Sequence, residues 1–203
     1  MRVVIRGAGD LASGVALRLW RAGMDVVLLD VEKPTAIRRT VAFSEAIVHG
    51  EQTVEDVTAR LATAETAEET LAAGYIPVLV DPEGRSIPTL RPDALVDAIL
   101  AKRNLGTEIT DAPVVIGVGP GFTAGVDCHA VVETMRGHTL GRVIREGSAI
   151  PNTGIPGLIG GFAGERVLRA PAAGLFHPLR SIGDAVTEGE ILATVEGKPM
   201  AAT

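Results

Sequence analysis

Gly7-Ala8-Gly9-Asp10-Leu11-Ala12 is a G-x-G-x-x-A string between an apolar run and a helical pattern. Each small residue has a chemical use in holding a nucleotide-like ligand. Gly7 permits a tight turn, Gly9 lets a pyrophosphate approach the backbone, and Ala12 lets a helix pack on a strand. The helix start offers free amides and partial positive charge to a phosphate. Asp30 follows Gly9 by 21 residues, at the end of the next apolar run. A carboxylate there can accept from a ribose hydroxyl. Asp10 opposes this ligand, because its carboxylate repels phosphate. The alternative is the same turn with no dinucleotide. Arg38 and Arg39 follow closely, and a guanidinium fork matches phosphate oxygens. Their other role is a solvated face with local ion pairs.

A second glycine loop, VVIGVGPGFTAG, repeats the pattern around Gly119 and Gly121. Loops at strand ends are where open α/β sheets hold ligands, so the two loops would wall one site if their strands are neighbours. Asp127, His129 and Glu133 come next. On a strand they share one face, and on a helix His129 and Glu133 do. An oxygen-nitrogen-oxygen set suits a metal or proton transfer; a structural His–carboxylate pair is the alternative. These three are the candidates for catalysis and for metal ligation. Cys128 reads as a lone buried thiol.

The elements that must position these residues are legible as an alternation. Val3–Ile5 reads as a buried strand, and residues 11–22 as a helix capped at Gly23. The run 25–30 reads as a second strand, parallel to the first. Pro34 is expected to open a short helix carrying Arg38 and Arg39. Residues 45–50 read as a strand, 54–62 and 67–73 as helices, and 75–80 as a strand whose Pro77 marks an edge or irregularity. Residues 92–102 read as a helix and 113–118 as a strand. HAVVETM and GRVIREG read as strands. The expected fold class is therefore α/β: a Rossmann-like parallel sheet with helices on both faces over residues 1–140. A Gly/Pro-rich link covers 141–165. A small all-β, barrel-sandwich-like (lipoyl/biotinyl-like) segment, incomplete, covers 166–203, with strands at RVLRAP, GLFHPL and the run from Ile182.

Composition narrows the function. The chain has 203 residues, a net charge of −6, and only Phe 4, Trp 1 and Tyr 1 as aromatics. Few bases can be stacked and the field repels polyanions, so no nucleic-acid partner is expected. One cysteine excludes a disulfide framework and a multi-cysteine zinc site. No apolar run reaches the length of a membrane span, and MRVVI is too short for a signal peptide. A cytoplasmic location is expected, with a homo-oligomeric state left open. Glycine, at 24 residues, is well above the usual share and gathers in loops and turns.

The run IGDAVTEGEILATVEGKPM resembles the first half of a lipoyl- or biotin-type domain. Those carriers modify a lysine framed as D-K-A or M-K-M. Here Lys198 stands between Gly197 and Pro199, so no covalent lipoyl or biotin is expected there.

Longer strings carry a wider resemblance: IRGAGDLASGVALRLWRAGMDVVLLD, KPTAIRRTVAFSEAI, VDAILAKRNLGT, VIGVGPGFTAGVDCHAVVETMRGHTLGRVI and PNTGIPG. Nearly the whole chain is similar to the YqeB-type family of selenium-dependent molybdenum hydroxylase accessory proteins. The resemblance implies a role in maturing such a hydroxylase, by handling a molybdopterin-type cofactor or a selenium or sulfur donor. The hydroxylase or its maturation factors would be the partners. By the same resemblance Gly7, Gly9, Asp10 and Gly14 form the family's first loop, and Arg38 and Arg39 its basic motif. Gly119, Gly121, Asp127, His129 and Glu133 form its second loop. It also implies a second barrel half beyond this chain. Two other functions compete: an NAD(P)-dependent oxidoreductase, favoured by Asp30, and a non-catalytic docking scaffold with purely structural glycine loops.

Overall fold

Residues 3–5 and 26–29 are apolar without alternation, the pattern of strands covered on both faces. In the computed structural model, which describes residues 1–154, 157–164 and 167–202, they are the centre of a nine-stranded sheet. The chain divides into two compact units, Met1–Asn152 and Thr153–Thr203.

The first unit runs β1 (Arg2–Arg6), α1 (Asp10–Arg21), β2 (Asp25–Asp30), a 3-10 turn at Arg39–Val41, α2 (Glu45–His49), β3 (Glu51–Val54) and β4 (Val57–Ala62). It continues through α3 (Ala67–Ala72), β5 (Ile76–Val80), α4 (Ile87–Leu90), β6 (Ala94–Asp97) and β7 (Val114–Val118). It ends with β8 (Thr123–Ala124), β9 (Ala130–Val132), β10 (Val143–Ile144) and β11 (Gly147–Ser148). The large sheet has the order β10-β9-β7-β6-β1-β2-β5-β4-β3. Its seven inner strands are parallel, and β10 and β3 pair antiparallel at the two edges. A separate two-stranded pair joins β8 to β11.

This architecture corrects the expected one. The fold is a large mixed sheet with few helices, not a helix-flanked Rossmann fold. Residues 54–62, expected helical, form the β3–β4 hairpin. Val54 and Val57 stand at helical spacing only because the turn at Glu55 (φ +56) lies between them. Residues 92–102 hold the inner strand β6, whose four residues are all buried between β1 and β7. The parallel crossover from β6 to β7 runs through residues 98–113 without a helix. Residues 45–49, expected as a strand, form α2, ended by Gly50 at φ +86. Residues 31–38 form no helix, so Arg38 lies in a loop and only Arg39 enters the 3-10 turn. Pro77 sits on an interior strand between β2 and β4, opposite Arg60.

Alternation still decides what each face buries. Val3, Ile5, Val26, Leu28 and Val96 pack with Ala12, Ala16 and Leu17 of α1 and with Phe43. Val4, Val27, Leu29 and Leu95 face the other way, against Ala67, Ile87, Leu90, Phe122 and Cys128.

The second unit holds β12 (Phe176–Pro178), β13 (Ile191–Val195) and β14 (Lys198–Ala201), an antiparallel three-stranded sheet. That sheet stands in place of the expected incomplete barrel-sandwich segment. Glu196 (φ +49) and Gly197 (φ +73) make the two-residue turn that pairs Val195 with Lys198. In RVLRAP, Arg166 lies outside the described residues, and residues 167–170 form no strand. Ile155 and Pro156 of PNTGIPG also lie outside them. Among the described residues, no helix is long and apolar enough to cross a membrane.

The carboxyl edge of the sheet is fixed by a buried charge. Arg6 is 2% exposed and Asp97 1%. The Arg6 guanidinium donates to Thr107 Oγ1 (2.6 Å), Pro82 O (3.0 Å) and Leu105 O (3.1 Å), and Thr107 Oγ1 donates to Asp97 Oδ2 (2.6 Å). Removing one partner of a buried pair strands the other charge. Asp97→Ala is therefore expected to destabilise the fold by about 3–5 kcal/mol. Urea unfolding followed by circular dichroism measures this, and a midpoint unchanged from the parent would contradict it.

Candidate functional site

The first glycine loop joins β1 to α1, and its centre is clamped from both sides. Ala8 N–H donates to Asp30 Oδ2 (2.7 Å), while Ala8 O accepts from Ser13 Oγ (3.1 Å) and Ser44 N–H (2.8 Å). Asp30 Oδ1 accepts from Val31 N–H at 2.7 Å. Each Asp30 oxygen thus already holds one backbone N–H. Burial pushes the Asp30 carboxyl above its ordinary value, and the Val31 and Ala8 donors offset only part of that. The sign follows from linkage: ionising Asp30 opposes folding, so its contribution falls as pH rises through the raised value.

The loop's glycines are not equivalent. Gly7 has φ +99, and a Cβ there would meet Ala98 O at 2.9 Å. Its glycine is required by the turn and by the neighbouring backbone. Gly9 has φ −67 and ψ −177, open to any residue, and a Cβ there meets nothing within 4 Å. Gly14 lies exposed inside α1, also with open space around it. Glycine in a helix interior costs about 0.5–1 kcal/mol relative to alanine. No positive φ and no clash requires glycine at Gly9 or Gly14, although Gly9 is the N-cap of α1, a position that glycine favours.

Asp10, in the first turn of α1, pairs with Arg38 at 2.7 Å. Arg39 is exposed and has no ion pair among the described residues.

The second loop follows β7. Strand β6 separates it from the first loop, so the two glycine loops do not lie on neighbouring strands. Residues 98–103 run between them and touch both. A Cβ on Gly121 (φ +116) would meet the Arg103 backbone at 2.6 Å, and one on Gly119 (φ +83) would meet Thr134 Oγ1 at 2.9 Å. The packed chain accounts for both of these glycines. Lys102 and Arg103 are exposed on this segment, at the carboxyl edge of the sheet. Assigning 92–102 to a helix hid them as ordinary C-terminal basic residues.

Asp127, His129 and Glu133 each serve a separate backbone contact. Asp127 Oδ2 accepts from Thr123 N–H (2.7 Å), and His129 Nδ1 accepts from Val115 N–H (3.0 Å). Buried Glu133 accepts from Met135 N–H (2.7 Å) and Ile150 N–H (2.8 Å). Among the described residues, no three His, Cys, Asp or Glu side chains gather to hold a metal ion. Burial alone would raise Glu133, but the Ile150, Met135 and Thr134 donors outweigh it and hold the carboxyl below 4.5. Cys128 is fully buried, which pushes its thiol up and away from reactivity.

No family model matches the chain, and no solved structure matches it. Over 194 residues, 95% of the chain, it is 58% identical to "Uncharacterized protein YqeB" of Escherichia coli (strain K12). That identity supports the YqeB-type family. The chain spans 36% of the length of this curated relative.

Two outcomes are expected from this site. Gly7→Ala destabilises by several kcal/mol through positive φ and overlap with Ala98, whereas Gly9→Ala changes stability by less than about 0.5 kcal/mol. Thermal and urea unfolding of the two variants compare them directly. Glu133 contributes fully above its ordinary value and loses that contribution as pH falls through its lower folded value. Glu133→Gln is thus expected to lower stability by roughly 1–3 kcal/mol at neutral pH. The deficit should shrink below about pH 4. A deficit that stays constant across an acid titration would refute the assignment.

Proposed function

We propose that this chain is an accessory protein in the maturation of a selenium-dependent molybdenum hydroxylase. Its part in that role is to bind a molybdopterin-type cofactor, or the selenium or sulfur donor that completes it, in the cytoplasm. The observation that carries the binding site is Gly9: an open glycine that neither backbone nor packing requires, at the start of a twelve-residue helix. A side chain at Gly9 would fill the space through which a ligand reaches the loop.

The residues present fit the phosphate end of such a cofactor. The amides of Asp10, Leu11 and Ala12 precede the first α1 hydrogen bond, from Ser13 N–H to Gly9 O. They supply donors and the positive end of the helix dipole. Arg38 already screens Asp10, which removes most of the repulsion that carboxylate would exert. Arg39, Lys102 and Arg103 add positive charge at the same edge of a chain that is acidic overall. The bound cofactor supplies the hydroxylase's metal and redox chemistry; these residues hold and orient it. The relationship to YqeB is compatible with this role. For the NAD(P) alternative, Asp30 would have to accept a ribose hydroxyl beside the backbone N–H that each of its oxygens already holds.

The test uses the purified 203-residue chain and molybdopterin released from a molybdenum enzyme. Retention of the pterin on gel filtration, read by its fluorescence, is expected for the parent and for Gly14→Ala. Gly9→Val should lose at least about tenfold in affinity with only the modest loss of stability, about 1 kcal/mol, of a poorer N-cap, since it blocks approach without disturbing the core. No retention by the parent, or equal retention by Gly9→Val, would sink the proposal.

A further inference from the structure

Glu133 closes β9, and its buried carboxylate ties Met135 to Ile150 across one end of a surface cavity of about 580 Å³. The cavity lies over the edge strand β10, and Arg142 and Arg145 line it from either end of that strand. Thr139 and Ser148 add hydroxyls to the same lining. Neither arginine has an ion-pair partner among the described residues. Glu133 is close by in the lining, yet its charge is met by the amides of Ile150, Met135 and Thr134 instead of a guanidinium. Both guanidinium forks therefore remain available for an incoming group.

The position also favours a ligand. Strand β9 is parallel to β7, so Glu133 stands at the carboxyl edge of the sheet, beside the loop that follows β7. The outer edge of β10 is unpaired in the large sheet and adds free backbone groups. Two carboxylates in the lining oppose an anion: buried Glu133, whose charge is met by backbone amides, and exposed Glu146.

We propose that this cavity is an anion site that takes a phosphate group, held by the Arg142 and Arg145 guanidinium forks with hydroxyl donation from Thr139 and Ser148. Paired forks match phosphate oxygens bidentately, and such charge-assisted bonds are stronger than neutral ones. The site is separate from the Gly9 loop and does not depend on the function proposed for it.

Inorganic pyrophosphate, titrated calorimetrically into the full chain at low salt, probes the site. Citrate serves as the carboxylate control. Saturable pyrophosphate binding stronger than citrate binding is expected, and it should weaken as salt is raised. The double variant Arg142→Ala/Arg145→Ala should lose at least about tenfold in affinity with an unchanged melting temperature, since both side chains are exposed. Arg142→Lys/Arg145→Lys keeps the charge and should recover part of the loss, because only the fork geometry is gone. Glu146→Gln should tighten binding by about twofold to fivefold as one repulsion is removed. In the Gly9→Val background, where the first loop no longer takes a phosphate, the arginine-dependent binding should persist. Absence of saturable binding, or binding unaffected in the double arginine variant, overturns the proposal. Loss of binding in Gly9→Val with retention in the double variant would place the anion on the first loop and overturns it equally.

Discussion

The Arg6 guanidinium is the constraint on which the carboxyl edge of the sheet depends. It sits at the end of the central strand β1 and reaches Pro82 after β5, Leu105 and Thr107 in the crossover between β6 and β7, and Asp97 through Thr107. Three separate chain segments are thus held at one buried charge. Burying that charge is expensive, and only the dense set of acceptors makes it tolerable. The arrangement explains how a crossover of sixteen residues without a helix (98–113) keeps a fixed path. Asn104 helps locally, since its side chain bonds both the N–H and the carbonyl of Thr107. With the crossover fixed, residues 98–103 lie against both glycine loops. Lys102 and Arg103 lie on this segment, where the Arg103 backbone also packs closely against Gly121.

The glycines then separate by cause. Gly7, Gly119 and Gly121 have positive φ and would drive a Cβ into neighbouring atoms, so the fold requires them whatever the protein binds. Gly9 and Gly14 have neither reason. A glycine pattern read as one motif mixes both kinds. Only the second kind leaves open space that a ligand could use. The sharper statement about the first loop therefore rests on the open space at Gly9, and not on the full G-x-G-x-x-A string.

Much of the sheet was legible because its inner strands are unbroken apolar runs. Strands β1, β2, β5 and β7 follow from burial on both faces alone, as does the parallel pairing of β1 with β2. The errors lie where short strands carry helix-like spacing. In β6, Ala94 and Leu95 together with Ala98 and Ile99 mimic a helical stripe, and Pro92 mimics a helix start. Four residues buried between two parallel neighbours overrode that local signal. In α2 the reverse happened: the β-branched Ile47 and Val48 suggested a strand, but Ala46 and Phe43 pack into the core from a helical turn. At the site, the importance of Asp30 was visible, but its partner was not. The spacing that suits a ribose acceptor equally suits a carboxylate that holds the Ala8 amide, and the two cannot be told apart from residue types. Arg142 and Arg145 gave no signal, because a cavity over an edge strand has no sequence pattern.

Asp10 is the residue most at odds with a phosphate at the first loop, and its pairing with Arg38 decides how serious that is. Its partner Arg38 is mostly exposed, with 70% of its side chain open to solvent. An exposed pair of this kind is worth only about 0–1 kcal/mol. An arriving phosphate can therefore draw Arg38 away from Asp10 at little cost. The exchange would leave Asp10 unscreened near the anion, a repulsion that weakens as salt shortens the Debye length. Attraction must then come from groups that do not have to be released: the α1 amides, Arg39, and Lys102 with Arg103. The amides and the backbone that carries Lys102 and Arg103 are set in place by the fold, through the Ala8 clamp and the Arg6 network. A ligand of the kind proposed for this edge would be held chiefly by groups already positioned before it arrives, with Arg38 as an exchangeable screen over Asp10.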